Sequence, residues 1–161
     1  MTDYSLLNVE DLMSRNVISI EENQSVVDAV HLIDQYGFRS VIAVDEQGEV
    51  TGVLSITDLI GTLSELHGDI QALCNVDPPT RRLLIDILSS HCDNTLVKDR
   101  MTTPVKSVSP GCRLVAAAHI LERNRYHQLP VVDENRHPIG IISTTDFVRA
   151  FSNQSVLPCA Q

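Results

Sequence analysis

The chain of 161 residues lacks tryptophan, has only 4% aromatic residues and carries few cations. Its 12 lysine and arginine residues face 21 aspartate and glutamate residues, which gives a formal net charge of -9. Affinity for DNA or RNA depends on basic side chains that displace counterions from phosphates. The charge balance therefore argues against a nucleic-acid partner.

Long apolar runs are also missing, since no run approaches the roughly 20 residues that a membrane-spanning helix needs. The N-terminal residues Met1 to Tyr4 lack the charged segment and apolar stretch of a secretion signal. We therefore expect a cytoplasmic protein that does not span a membrane.

The four cysteines, at positions 74, 92, 112 and 159, form no Cys-x-x-Cys pair and have no histidine at zinc-finger spacing. Free thiols are expected, and no metal site or required cofactor is predicted. Glycine-rich phosphate loops and the G-x-S-x-G and H-E-x-x-H patterns are absent as well. We therefore predict no catalytic residues and no enzyme activity.

What the sequence does contain is an internal repeat. An offset of 88 residues takes Met13 to Met101 and aligns a long stretch without a gap. The pairs that match under this offset include Asp11 with Asp99, Ala29 with Ala117, Val44 with Val132, Gly52 with Gly140, Ser55 with Ser143, Thr57 with Thr145, and Asp58 with Asp146.

Each copy has the same local pattern. A short extended segment (17–20 and 105–108) precedes apolar residues at helical spacing, then two runs rich in β-branched residues separated by a turn, then a second helical stretch. The order is β-α-β-β-α, twice, so the predicted class is α/β. With 43% hydrophobic and 20% charged residues the chain should fold, but each half of roughly 50 residues is small for a domain of its own.

Between the copies lies an insertion that begins a helix near Asp77 and carries an apolar stripe at Leu83, Leu84, Ile87 and Leu88. The stripe should pack on the chain's own core or on a second subunit. We predict a first domain at 1–68, a helical insertion or linker at 69–96, and a second domain at 97–161.

The doubled ending, Gly52-Val53-Leu54-Ser55-Ile56-Thr57-Asp58 and Gly140-Ile141-Ile142-Ser143-Thr144-Thr145-Asp146, resembles the CBS domain family in its paired form, the Bateman module. The likeness covers about 11–62 and 98–150. It implies two pseudo-twofold related units packed through their sheets, with clefts commonly occupied by AMP, ATP, S-adenosylmethionine or similar ligands. Such modules usually regulate another protein.

The resemblance also implies which residues hold the ligand. By position, the residues implied to hold the ribose are Ser55, Thr57, Asp58, Ser143, Thr145 and Asp146. A carboxylate accepting from two vicinal hydroxyls suits that role chemically. The same Ser-x-x-Asp pattern before a helix is, however, also a helix-capping signature.

Other candidate positions concern phosphate and adenine. Arg39 and His127 are equivalent in the two copies, and the family often has a phosphate-facing basic residue there; His127 would need to be protonated to match the arginine. Members of the family hold adenine through the first extended segment, which by position implies Ile18 and Lys106, and the lysine could instead reach a phosphate or remain solvated. Ile42 and Pro130, in the next apolar run, are also candidates for ligand binding. Pro130 has no N–H for a sheet, so its strand should lie at an edge or leave that position open, where a ligand could bond the backbone.

Two functions from different classes follow. The first is a stand-alone regulatory module that binds an adenosine nucleotide or S-adenosylmethionine and signals to a separate effector protein. The alternative is a dimerising or docking scaffold that binds no nucleotide. A homodimer is expected in both cases, because paired CBS modules commonly associate and the insertion offers an apolar stripe.

Overall fold

The computed structural model describes residues 6–59, 61, 86, 87, 90 and 94–152. These residues belong to two compact units. The first unit is Ile18–Val105, and the second combines Met1–Val17 with Lys106–Gln161. The predicted boundaries at 1–68, 69–96 and 97–161 are those of the sequence copies, and the compact units cut across both copies.

The first unit is a small α/β layer. Strand β1 (Ser19–Glu21) runs parallel to β2 (Ser40–Val44), which pairs antiparallel with β3 (Val50–Ser55). Helix α1 (Val26–Tyr36) connects β1 to β2, and helical backbone follows β3 at 56–59. The predicted β-α-β-β-α order is confirmed here.

Helix α1 begins and ends where its sequence dictates. The Ser25 hydroxyl accepts the Asp28 N–H at 3.0 Å, a side-chain N-cap. Gly37 ends the helix in the left-handed conformation with φ of 68°, which glycine adopts without a side-chain penalty. The helical face at Val26, Ala29 and Val30 is buried. Helix α1 therefore packs onto the sheet through its apolar residues at helical spacing.

The second unit repeats this arrangement with one difference. It contains α2 (Leu114–Asn124), β4 (Gln128–Val132), β5 (Pro138–Ser143) and α3 (Thr144–Ser152), and β4 pairs antiparallel with β5. The predicted first strand at 105–108 is reduced to a single parallel bridge between Val108 and Val131. The α/β class is confirmed.

Each unit contains the segment that opens the other copy in sequence. Ser14 bridges to Ile141 in the second unit, and Thr102 bridges to Val53 in the first. Val9, in a short 3-10 helix at Val9–Asp11, is fully buried in the second unit. The equivalent 3-10 helix, Val97–Asp99, is part of the first unit. The copies therefore exchange their leading segments.

Most of the described buried apolar residues form two clusters, one in each unit. The cluster of the first unit comprises Ile20, Val26, Ala29, Val30, Ile33, Val41, Ala43, Leu54, Leu59 and Val97. That of the second comprises Val9, Met13, Val108, Leu114, Ala117, Leu121, Leu129, Val131 and Ile142. Ile87 of the predicted insertion stripe packs against the first cluster. Leu83, Leu84 and Leu88, the other members of that stripe, lie outside the described residues.

Candidate functional site

In both copies a strand ends at the serine of the Ser-x-Thr-Asp segment and a helix starts at the next residue. Asp58 Oδ2 accepts from the Ser55 N–H at 2.8 Å and from the Ser55 hydroxyl at 2.5 Å. Asp146 Oδ2 accepts from the Ser143 N–H at 2.8 Å and from its hydroxyl at 2.6 Å. The serine hydroxyls accept the aspartate N–H in return, at 3.2 Å and 3.4 Å. The helix-capping interpretation therefore holds for both copies.

Capping uses only one oxygen of each carboxylate, and the second oxygen distinguishes the copies. Asp58 Oδ1 accepts a hydrogen bond of 3.2 Å from the Thr102 hydroxyl. Asp146 Oδ1 lies 3.7 Å from Nη1 of Arg149, one turn further along α3. Both aspartates are half-buried, whereas Thr57 and Thr145, also predicted for the site, are exposed.

The two predicted basic residues lie beside these turns. The Arg39 carbonyl accepts the Ile56 N–H at 3.0 Å, and the His127 carbonyl accepts the Thr144 N–H at 2.9 Å. Each basic residue is therefore held opposite the residue that follows the capping serine. Both are exposed, and neither side chain forms a hydrogen bond or ion pair with the rest of the described chain.

The predicted adenine-side positions also lie together in each unit, but their backbones differ. The Ile42 N–H donates to the Ile18 carbonyl at 3.3 Å. Pro130 has no N–H at the equivalent point, and the Lys106 carbonyl accepts no hydrogen bond from any described residue. After this gap the ladder continues: the Val108 N–H donates to the Pro130 carbonyl at 3.0 Å, and the Val132 N–H donates to the Val108 carbonyl at 2.9 Å. The expectation that Pro130 leaves its N–H position open is confirmed.

Each copy thus assembles its predicted residues within one compact unit. We name the first-repeat site by Ile18, Arg39, Ile42, Ser55, Thr57 and Asp58, and the second-repeat site by Lys106, His127, Pro130, Ser143, Thr145 and Asp146. The CBS domain family model matches the chain at residues 9–65 and again at 97–153. The chain belongs to the CBS domain family.

Relatives of this CBS pair include proteins of similar length and longer ones. The uncharacterized protein MJ1426 of Methanocaldococcus jannaschii is 23% identical over 154 residues, which are 90% of this chain and 91% of that protein. In two other relatives from the same organism, MJ1225 and MJ0188, the region that matches this chain is only 41% and 44% of the protein's length.

Solved structures with the same fold include CBSX2 from Arabidopsis thaliana, a CBS-pair protein, with a TM-score of 0.70, 26% identity and coverage of 90% of this chain and 94% of that one. A second CBSX2 structure, solved in complex with AMP, has a TM-score of 0.67, 25% identity and coverage of 90% and 96%. The CBS pair of MJ0100 has a TM-score of 0.65 at 19% identity and covers 90% of this chain and 99% of its own. These likenesses confirm the CBS-pair fold.

Two contacts of these CBS repeats were not foreseen from the sequence. Thr102, which bonds Asp58, belongs to the segment that opens the second copy, and Arg149 follows Asp146 by three residues. Ser14 is the equivalent of Thr102 under the 88-residue offset and also carries a hydroxyl. That shared hydroxyl and the helical spacing of Arg149 were the available signals.

Where the structure describes the CBS repeats, potential metal ligands are not gathered into a cluster. Within the described residues no group of three or more His, Cys, Asp or Glu side chains is placed to hold a metal ion. Cys112 is a free thiol, and burial raises its pKa. The other three cysteines lie outside the described residues. The same part of the chain contains no helix with the length and apolar character needed to cross a membrane.

Proposed function

We propose that this CBS pair is a regulatory module that binds an adenosine-containing ligand and transmits its occupancy to a separate effector protein. AMP, ADP, ATP and S-adenosylmethionine are the candidate ligands. The observation that carries the proposal is the carboxylate at each Ser-x-Thr-Asp turn, which caps a helix with one oxygen and directs the other elsewhere.

The first repeat shows what that second oxygen accepts. Asp58 Oδ1 takes a hydrogen bond from a hydroxyl, that of Thr102. A ribose presents two adjacent hydroxyls, and a carboxylate held in place by a cap is suited to accept from them. The CBSX2 structure with AMP, a CBS pair at 25% identity, supports an adenosine nucleotide as the ligand class.

The phosphate end is assigned to the basic residue beside each turn. Arg39 and His127 are fixed through their carbonyls next to the capping serine, while their side chains remain exposed. An arginine offers a planar pair of donors to a phosphate, and a histidine does so only when protonated. The ligand is a regulatory signal in this proposal, not a cofactor for catalysis.

A non-catalytic role agrees with the named enzymes among the relatives. This chain matches only 23% of a homoserine O-acetyltransferase and 24% of an L-aspartate semialdehyde sulfurtransferase. The matched part is a small fraction of each enzyme. We infer that the CBS pair here regulates and does not catalyse, acts in the cytoplasm and forms a homodimer.

The proposal is tested by ligand-dependent thermal unfolding. A ligand that binds only the folded protein must raise the melting temperature. AMP, ADP, ATP, S-adenosylmethionine and NADH should be compared at millimolar and micromolar concentrations. At least one adenosine ligand should shift the melting temperature, and calorimetry should give a sub-millimolar dissociation constant. Inorganic phosphate alone is the control for ionic effects.

The second candidate function is a dimerising or docking scaffold without a ligand. It is favoured by α3, on which Val148 and Phe151 remain 66% and 59% exposed. If no ligand of the panel shifts the melting temperature or gives a heat of binding in calorimetry, the sensor proposal is contradicted. The scaffold would then be the remaining function.

A further inference from the structure

We infer that the two CBS repeats are unequal, and that the adenosine ligand binds at the second-repeat site while the first-repeat site is closed by the protein's own hydrogen bonds. This inference rests on the proposed function and specifies where in the chain it is carried out. Two independent differences between equivalent positions lead to it.

The first difference is a backbone carbonyl. At the first-repeat site the Ile18 carbonyl is occupied by the Ile42 N–H. At the second, proline at position 130 removes the only equivalent donor, and no described residue replaces it. Lys106 is exposed, so its open carbonyl is accessible to a donor from water or from a ligand. The exocyclic amino group of adenine is a donor of this kind.

The second difference is the carboxylate oxygen that does not cap. Asp58 Oδ1 already accepts from Thr102, so a ribose at the first-repeat site must share that oxygen with the Thr102 hydroxyl or displace it. Asp146 Oδ1 has no hydroxyl or N–H within hydrogen-bond distance among the described residues. Ser14 occupies the position equivalent to Thr102, and its hydroxyl makes no such bond. Only in the second repeat, therefore, do ribose hydroxyls meet a non-capping carboxylate oxygen that accepts no hydrogen bond from the described residues.

Charge favours the same site. The first-repeat set contains one basic residue, Arg39, whereas the second contains Lys106 and His127, and Arg149 lies 3.7 Å from Asp146. A phosphorylated adenosine is an anion, so an acidic chain will hold it best where its cations are concentrated.

Titration calorimetry with AMP tests this inference through stoichiometry and matched variants. The intact chain should bind one AMP per chain. Asp146→Asn should weaken binding by about tenfold to hundredfold, the scale of a charge-assisted hydrogen bond. Asp58→Asn disrupts the same kind of cap at the site that binds no AMP, and it should change affinity by less than about threefold, the scale for an independent site. Asp28→Asn, which disrupts the Ser25–Asp28 cap of α1, controls for capping alone.

Two further variants close the second-repeat site in the way that the first is closed. Pro130→Ile restores the N–H that bonds Ile18 in the first repeat, and it should weaken AMP binding by about tenfold. IMP has an oxygen in place of the adenine amino group, so it should bind the intact chain more weakly than AMP and be insensitive to Pro130→Ile. Ser14→Thr places at the second-repeat site the same residue type as Thr102, whose hydroxyl bonds Asp58 in the first repeat. This variant should also weaken AMP binding, without lowering the melting temperature of the free protein.

The outcomes separate this inference from the proposed function. Two AMP per chain with similar affinity, or a loss of binding in Asp58→Asn but not Asp146→Asn, overturns the inequality and leaves the sensor function standing. No binding of any adenosine ligand overturns both. Equal losses in the Asp28, Asp58 and Asp146 variants would assign the effect to helix capping and also overturn the inference.

Discussion

At the scale of single residues, two glycines allow a methionine from a distant segment to cover each sheet. A Cβ added at Gly140 would lie 2.6 Å from Met13 Sδ and 3.1 Å from the Ser14 carbonyl oxygen. At Gly52, the equivalent position, a Cβ would overlap Met101 Sδ and lie 3.0 Å from the Thr102 carbonyl oxygen. Because Ser14 and Thr102 pair with the neighbouring residues Ile141 and Val53, the backbone cannot easily retreat.

We therefore predict that Gly140→Ala and Gly52→Ala each lower the free energy of unfolding by about 1–3 kcal/mol, the usual cost of overpacking. Urea denaturation measures the change. Gly111→Ala is the control, since a Cβ there meets nothing within 4 Å, and it should change stability by less than about 0.5 kcal/mol.

A double-mutant cycle identifies the methionine as the cause. In a Met13→Ala background the cost of Gly140→Ala should be smaller, because the Sδ atom that meets the new Cβ is gone. Equal costs for Gly140→Ala and Gly111→Ala in the intact chain would show that the close approach carries no energy.

At the scale of elements, the exchange of leading segments makes each copy depend on residues far away in sequence. The segment 7–14 supplies Val9 and Met13 to the second cluster and bonds Leu114 and Ile141 through the Leu7 carbonyl and both backbone groups of Ser14. A fragment of residues 97–161 lacks all of these. A small domain has little stability to spare when part of its core is removed.

We predict that the fragment 97–161 shows no cooperative unfolding transition by circular dichroism in urea. The fragment 18–105 should retain more structure, because that unit is continuous in sequence and contains its leading segment, Val97 to Thr102. A cooperative, monomeric transition in 97–161 would contradict the prediction, and so would a less structured 18–105.

At the scale of the whole molecule, the chain leaves apolar side chains on its surface. Val148 and Phe151 lie one turn apart on α3, and both are exposed although contact between large apolar groups and water is unfavourable. Ile87 of the insertion, by contrast, packs against the first cluster within its own unit. We therefore base the proposed homodimer on contacts between α3 helices and not on the insertion stripe that contains Ile87.

We predict that sedimentation equilibrium gives about twice the chain mass of 17.8 kDa at micromolar concentration. Val148→Asp should shift the equilibrium toward the monomer, since a charge would be buried without a partner in an apolar contact. Val115→Asp, at an exposed position on α2, is the control. A strictly monomeric chain at high micromolar concentration would contradict the homodimer.

The sequence by itself determined the repeat, the α/β class and the CBS family, because each depends on local periodicity or on motif order. It also located the Ser-x-Thr-Asp turns and the open N–H position of Pro130, since a strand end, a cap and a missing donor are written in a few adjacent residues. Whether those turns hold a ribose stays a prediction.

Only the tertiary structure decided which segment completes which unit and how the two carboxylates differ. Thr102 and Asp58 are 44 residues apart in the chain, and no local pattern specifies that their side chains meet. The exchange of the segments that open each copy produces that contact, because it places Thr102 beside β3 and Ser14 beside β5. The two carboxylates thus meet equivalent segments that carry different residues, Thr102 in one and Ser14 in the other. Long-range contacts of this kind depend on the path of the whole chain, and local propensity does not encode that path.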